Sequence, residues 1–293
     1  MLAMRAKTPL TKVKARWEEY QARMLHYALE RGVMAGQRDY TKFLILTRSR
    51  SGSNFLVDLL NSHSKVLCYS ELFSPSGVTH WGVPGYGAKQ FKSESVRRLK
   101  EEDPVKFMTQ YVYKTAPGWI SAVGFKLFYN HAKEGKGDNL WKYLEGLEDL
   151  RVIHLKRKNT LKTVVSQKIA MASGVWVKRA KHSAAMREAI ELSHDECLTQ
   201  FERTRRWQEE YDEYFAPKEK MDVIFEDLVA DTDRVMYGVQ SFLGVESQRL
   251  TAGTQKQSSK PLVEVVSNYK QLRDSFSGTE WETMFESPED NKG

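Results

Sequence analysis

Phe43-Leu-Ile-Leu-Thr47 is a short, uninterrupted apolar run, followed at once by the polar stretch 48–54 and then by apolar residues at helical spacing over 55–60. So short and continuous a run suits a strand covered on both faces, which is the environment of a parallel sheet. The order strand, loop, helix is therefore expected here. Further strand candidates lie at 65–68, 122–127, 151–155 and 222–225, and most segments between them read as helices. Strands alternating with helices predict an α/β protein with a central parallel sheet flanked by helices. A charged helical pattern is expected over about 184–214, and the Gly- and Pro-rich stretch 74–87 is expected to be an ordered surface loop.

Residues 12–36 show apolar side chains at helical spacing, among them Val13, Trp17, Tyr20, Met24, Tyr27 and Ala28. The expected organisation is thus an amphipathic extension over 1–40 and one domain over 41–293. Such a helix could dock on the domain, pair with a second copy in a homodimer, or lie as a peripheral contact on an anionic membrane. No run reaches the ~18 apolar residues of a membrane span, and the opening segment lacks the apolar centre of a secretory signal. Cys68 and Cys197 form no C-x-x-C pair. Neither a disulfide framework nor a zinc site is indicated, and a cytoplasmic protein is expected.

Lys and Arg number 45 against 38 Asp and Glu, a net charge of +7. That excess favours an anionic partner without saying which. The loop is more specific. Arg48, Ser49, Arg50, Ser51, Gly52, Ser53 and Asn54 join a buried strand to a helix, where backbone amides and the helix dipole converge on an anion. Gly52 lets the backbone approach a phosphate, and the two arginines supply charge and forked hydrogen bonds. Walker A spacing and the dinucleotide fingerprint are both absent, which argues against ATP and NAD. The plainer alternative is a polar turn capped by Ser53.

Arg50-Ser-Gly-Ser-Asn-Phe55 resembles the 5′-phosphosulfate loop of sulfotransferases, in particular bacterial carbohydrate sulfotransferases related to the trehalose and nodulation-factor enzymes. Other segments agree in order: Glu71-Leu-Phe, Val123-Gly-Phe-Lys-Leu127, Val152-Ile-His-Leu-Lys-Arg-Lys-Asn159 with Ser166, Phe225-Glu-Asp-Leu228, and Lys256-Gln-Ser-Ser-Lys-Pro261 running to Tyr269. The resemblance covers about residues 41–285.

The resemblance implies a P-loop-like nucleotide-binding sulfotransferase fold. It also implies 3′-phosphoadenosine 5′-phosphosulfate (PAPS) as donor, released as adenosine 3′,5′-bisphosphate (PAP), with a carbohydrate or glycolipid acceptor and no nucleic-acid partner. A 3′-phosphate site is expected at Ser166 with either Arg157 or Lys158; Arg157 is favoured because a guanidinium can hold phosphate in a fork. Lys256, Ser258 and Lys260 would close over the nucleotide. Glu71 is the expected general base and His131 its alternative, while Arg50 would stabilise charge at the leaving oxygen. Lys126 is expected to reach a sulfonate oxygen or pair with a carboxylate, and Trp176 to face the acceptor. Trp81, Tyr86, Trp119 and Trp141 are further aromatic candidates for stacking on a sugar. Glu226 and Asp227 are expected to fix loops near the sheet. No sequence cluster has metal-ligand spacing, and no metal is expected. Two other readings fit the same sequence: a non-enzymatic polyanion- or nucleotide-binding protein, and a sulfotransferase for a small non-carbohydrate alcohol. A kinase-like chain lacks its phosphate loop.

Overall fold

The computed structural model describes residues 31–75, 77–83, 93–132, 137–174, 189–253 and 261–285, with scattered positions between 17 and 29. Five strands form one all-parallel sheet: β1 (Thr41–Thr47), β2 (Val66–Glu71), β3 (Ala122–Phe128), β4 (Leu150–Lys156) and β5 (Lys220–Ile224). Their order across the sheet is β2-β3-β1-β4-β5. The expected strands are all present, longer by a few residues. Only the last differs in kind, because Phe225 leaves the sheet and opens a helix.

The alternation of β1 explains its continuous apolarity. Phe43 and Ile45 pack on one face with α1 (Ser53–Asn61) and, beyond α6 (Phe225–Ala230), with α7 (Thr232–Phe242). Leu44 and Leu46 pack on the other with α3 (Gly137–Gly146) and the end of α5 (His194–Tyr214). A third cluster joins α4 (Thr160–Ser173) to the start of α5 and to residues 262–285. Each buried Leu or Phe contributes about 1.5–3 kcal/mol, so both layers are needed to hold the sheet.

Two expected helices start or stop elsewhere. Positions described between 17 and 29 are helical, but the chain turns at 31–34, where Val33 and Met34 amides both bond back to the Ala28 carbonyl. Gly36–Gln37 then pairs antiparallel with Ala116–Pro117. α5 begins at His194, where Ser193 caps it and Ile190 just before it is engaged in a bridge with Val266; the part of the expected helix over 184–188 lies outside the described residues. Among the described residues no helix is long and apolar enough to cross a membrane. Cys68 and Cys197 are both free and buried.

Parallel pairing brings every strand's C-terminal end to one edge. Thr47 lies in register with Phe128 on one side and Leu155 on the other. The connection leaving β1 runs toward β2, and the one leaving β4 runs toward β5. β1 and β4 therefore flank the switch point of the sheet, where open α/β folds form a crevice beyond their strand ends.

Candidate active site

The loop after β1 is braced from within. Thr47 Oγ1 donates to the Leu155 carbonyl at 2.6 Å and lies 2.6 Å from Ser51 Oγ, which donates to the Arg48 carbonyl at 2.7 Å. These contacts bolt the loop to the end of β4, and they commit Ser51, 2% exposed, to holding its shape. Gly52 takes the N-cap position of α1 at φ 88°, a left-handed conformation. A Cβ there would lie 2.1 Å from the Phe225 ring. Only glycine satisfies both conditions. No side chain caps α1, so its first amides and the positive end of its dipole face the crevice. The alternative of a turn capped by Ser53 is not what forms: Ser53 is the first helical residue, and it is buried.

Arg48 points away from this loop. Its guanidinium donates to the Gln200 carbonyl (3.2 Å), Gln200 Oε1 (2.7 Å) and Thr204 Oγ1, so it ties the loop to α5. Burial, with Arg203 nearby, lowers its pKa to about 10. The Arg48 guanidinium, expected at an anion, is here committed to α5. Ser49 is half-buried in the same turn.

Arg50 takes the other direction. Held at φ 67°, it donates from Nε and Nη2 to Ser166 Oγ at 3.0 and 2.9 Å. Arg157 Nη1 donates to the Arg50 carbonyl at 3.0 Å, while its guanidinium stacks 4.9 Å over Phe225. Its buried Nε has no hydrogen-bond partner and lies 3.8 Å from Glu226. Lys158 instead reaches outward to Asp227 at 3.3 Å and is 64% exposed. Of the two candidates, Arg157 faces the loop. Burial holds both Arg50 and Arg157 below the ordinary guanidinium pKa, Arg50 further by Arg157 itself. Two desolvated neighbouring cations gain from an anion between them. Glu226 accepts the Lys158 and Asn159 amides at 3.0 and 3.3 Å, fixing this turn as expected.

On the other side of β1 stand Glu71, Lys126 and His131. A register shift in β2 between Tyr69 and Glu71 sets Glu71, not Ser70, opposite Lys126. Lys126, fully buried, donates to Glu71 Oε1 (2.9 Å) and to Asn54 Oδ1 of α1 (2.5 Å). Of its two expected roles it takes the carboxylate pairing here. Burial works to raise the Glu71 pKa, but Lys126, His131 and His80 outweigh it and hold the carboxyl below its ordinary value. Burial lowers the His131 imidazole to about 4, so it is neutral near pH 7. Its Nδ1 is buried without a hydrogen-bond partner.

A separate polar cluster lies under β4. His154 bonds Tyr129 OH (2.6 Å) and Asp212 (2.9 Å), and Lys156 bridges Asp212 and Asp222 at 2.7 Å each. The carboxylates are thus met by ammonium groups. Trp81 and Trp141, candidates for sugar stacking, are 3% and 6% exposed and belong to the core, whereas Trp119 is exposed. Tyr86, Trp176, Lys256, Ser258 and Lys260 lie outside the described residues. Sequence reasoning missed Thr47 and Phe225 as parts of the loop's frame; both act through partners over 100 residues away.

An α/β sheet with an uncapped helix start at its switch point and cationic side chains beside it is the arrangement in which such sheets bind anionic ligands. Residues 43–249 match the sulfotransferase family, and the chain belongs to that family. It is similar to Nodulation protein H of Rhizobium tropici, at 27% identity over 83% of this chain and 92% of the relative. The corresponding values for Nodulation protein H of Rhizobium meliloti (strain 1021) are 25%, 83% and 94%. Among solved structures it matches a sulfotransferase from Alicyclobacillus acidocaldarius at TM-score 0.44 and 12% identity, covering 80% of this chain and 90% of that one. A mouse sulfotransferase complexed with PAP matches at TM-score 0.37 and 10% identity, covering 92% and 85%. The protein is an enzyme of sulfuryl transfer.

Proposed function

We propose that this enzyme takes its sulfuryl group from PAPS and passes it to a hydroxyl of a carbohydrate or glycolipid, releasing PAP. What supports the donor most is the direct connection between the two cationic sites. Arg50 reaches Ser166 while Arg157 holds the Arg50 carbonyl, so a nucleotide phosphorylated at both ends has a partner for each end. The amides that open α1 and Arg50 would hold the 5′ side; Arg157 and Ser166 would hold the 3′-phosphate. The carbohydrate acceptor rests on the resemblance to the bacterial branch of the family. Residues 41–293 form the catalytic unit in this reading, and its place is the cytoplasm.

In the transfer the bond from sulfur to the bridging 5′-phosphate oxygen breaks as the acceptor oxygen bonds to sulfur. PAP leaves with the bridging oxygen, and the acceptor proton passes to Glu71. Little covalent work is left to the protein, so alignment and charge stabilisation carry the rate. Glu71 is the favoured base because it is ionised and stands at a strand end beside the loop, while burial lowers the His131 imidazole to about 4. Lys126, freed from Glu71 as the proton arrives, can turn to the sulfonate.

Single-turnover transfer from labelled PAPS tests this reading. Glu71→Gln is expected to lower the rate by roughly 10²–10⁴ with unchanged PAP affinity. A wild-type rate in that variant contradicts Glu71 as base, and absence of saturable PAP binding by the wild-type protein contradicts the donor.

A further inference from the structure

We propose that His80 is a specificity-determining residue of the acceptor site, hydrogen-bonding an uncharged, hydroxyl-rich acceptor whose reacting hydroxyl lies at Glu71. The inference rests on the sulfotransferase reading above and extends it to the side of the site that faces away from the nucleotide.

After Glu71 the chain does not leave the sheet but doubles back on it. The His80 amide donates to the Glu71 carbonyl at 3.1 Å, and the Ser70 amide, released from the sheet by the register shift, donates to the Trp81 carbonyl at 2.9 Å. Trp81 anchors this return. It is buried edge-on against Tyr69 at 5.5 Å and tilted against Phe107 at 5.7 Å. The preceding turn is clamped by Lys100 of α2 (Glu94–Glu102), a 6% exposed lysine that donates to the Gly77 carbonyl (3.3 Å) and Thr79 Oγ1 (3.1 Å). Burying an ammonium group is costly, so its use here as a clamp means the loop is held in one shape. The residue fixed by all these contacts is His80, and it is exposed. A rigid loop that presents one exposed imidazole beside a candidate base is a preorganised contact.

The amide bond to the Glu71 carbonyl sets His80 directly beside the candidate base, and His80 contributes to the electrostatics of both Glu71 and His131. The cations around them are committed. Lys126 is held by Glu71 and Asn54, Arg50 by Ser166 and assigned to the nucleotide, Lys100 by its loop, and His131 is neutral. Among the described residues, the side chains gathered at Glu71 thus offer hydrogen bonds and one carboxylate, with no uncommitted ammonium or guanidinium. A carboxylated or already sulfated acceptor would bring like charge to Glu71. A neutral saccharide would bring hydroxyls that donate and accept. The buried His131 Nδ1, which has no hydrogen-bond partner, adds a further group able to bond a hydroxyl.

The test uses the full-length enzyme with labelled PAPS, three neutral probes (cellotetraose, chitotetraose, trehalose) and acidic tetragalacturonate. The wild type is expected to sulfate at least one neutral probe and not the acidic one. With the best neutral probe, His80→Ala is expected to raise the acceptor KM about tenfold, the cost of one hydrogen bond, while kcat changes less than about threefold. His80→Gln, which keeps a donor and an acceptor, is expected to recover most of the loss. An unchanged KM, a fall confined to kcat, or a lowered melting temperature that accounts for the loss overturns the role of His80. Use of tetragalacturonate as well as the neutral probes, or sulfation of none of them by an enzyme that binds PAP, overturns the neutral acceptor. A protein that does not bind PAP at all removes the sulfotransfer reading of the site instead.

Discussion

The two helices that open onto the crevice begin in opposite ways. α1 starts from left-handed Gly52 with no side-chain cap, while α4 starts from Asn159, whose Oδ1 accepts the Lys162 amide at 2.9 Å. An open start leaves backbone amides and dipole for an anion; a capped start has already committed one of those amides to a side chain. The lesson is a division of labour. The phosphate at α1 would be held mainly by backbone, and the one at α4 by the side chains of Arg157 and Ser166. The first site should be sensitive to backbone shape, and the second to deletion of single side chains.

The largest expected effect tests the backbone half. Gly52→Ala adds a Cβ that lies 2.1 Å from the Phe225 ring in a left-handed conformation. We expect PAP affinity to fall by more than about 100-fold with a stability loss of ~1–3 kcal/mol, read by calorimetry and thermal melting. Near-normal affinity would break the comparison. Arg157→Ala tests the side-chain half and is expected to weaken PAP binding about 10- to 100-fold, as for a lost charged hydrogen bond. Lys158→Ala, which removes only an exposed pair with Asp227, is expected to change affinity less than about twofold. If the two variants exchange these values, the grip belongs to Lys158.

Asn159→Ala sharpens the contrast from the other side. It should cost ~0.5–2 kcal/mol of stability through the lost cap, with PAP affinity within about threefold of wild type. A large gain in anion affinity would mean that the capped start is a latent site. The smallest effect on turnover is expected from pH. The Glu71 carboxyl is held below its ordinary value and His131 lies at about 4, so both keep one state between about pH 5 and 8. A depressed carboxyl stabilises the fold above its unfolded pKa and loses that contribution as pH falls through the folded one. Turnover should therefore be flat over that window with respect to these groups, whereas stability should decline as pH falls below about 6.5, where the unfolded His131 imidazole takes up a proton that the buried one does not; a rate per folded enzyme that falls already below pH 6.5 would point to another base.

The sequence revealed the sheet because its central strand is apolar at consecutive positions, which only two-sided burial explains. It also revealed the loop and the cation-and-serine segment, since each is local and their order matches a family. What it hid depends on contacts between distant residues. Nothing local tells that Arg48 turns to Gln200 and Thr204, that Phe225 closes over Gly52, or that a shift at Ser70 brings Glu71 to Lys126. His80 was hidden for the same reason. A single histidine in a Gly- and Pro-rich loop carries no periodic signal, and it matters only once Lys100 and Trp81 hold that loop against β2. The choice between Arg157 and Lys158 was likewise one of direction rather than spacing. Neighbouring residues past a strand end leave on different sides, and only the fold says which side holds the loop.

The central claim is that two distinct anion sites flank one nucleotide, and calorimetry of PAP against adenosine 5′-phosphate tests it most directly. Wild-type protein should bind one PAP per chain at least about tenfold more tightly than adenosine 5′-phosphate, and a Ser166→Ala, Arg157→Ala double variant should bind the two alike. Equal affinity for both nucleotides in the wild type, or a preference that survives in the double variant, would contradict the account.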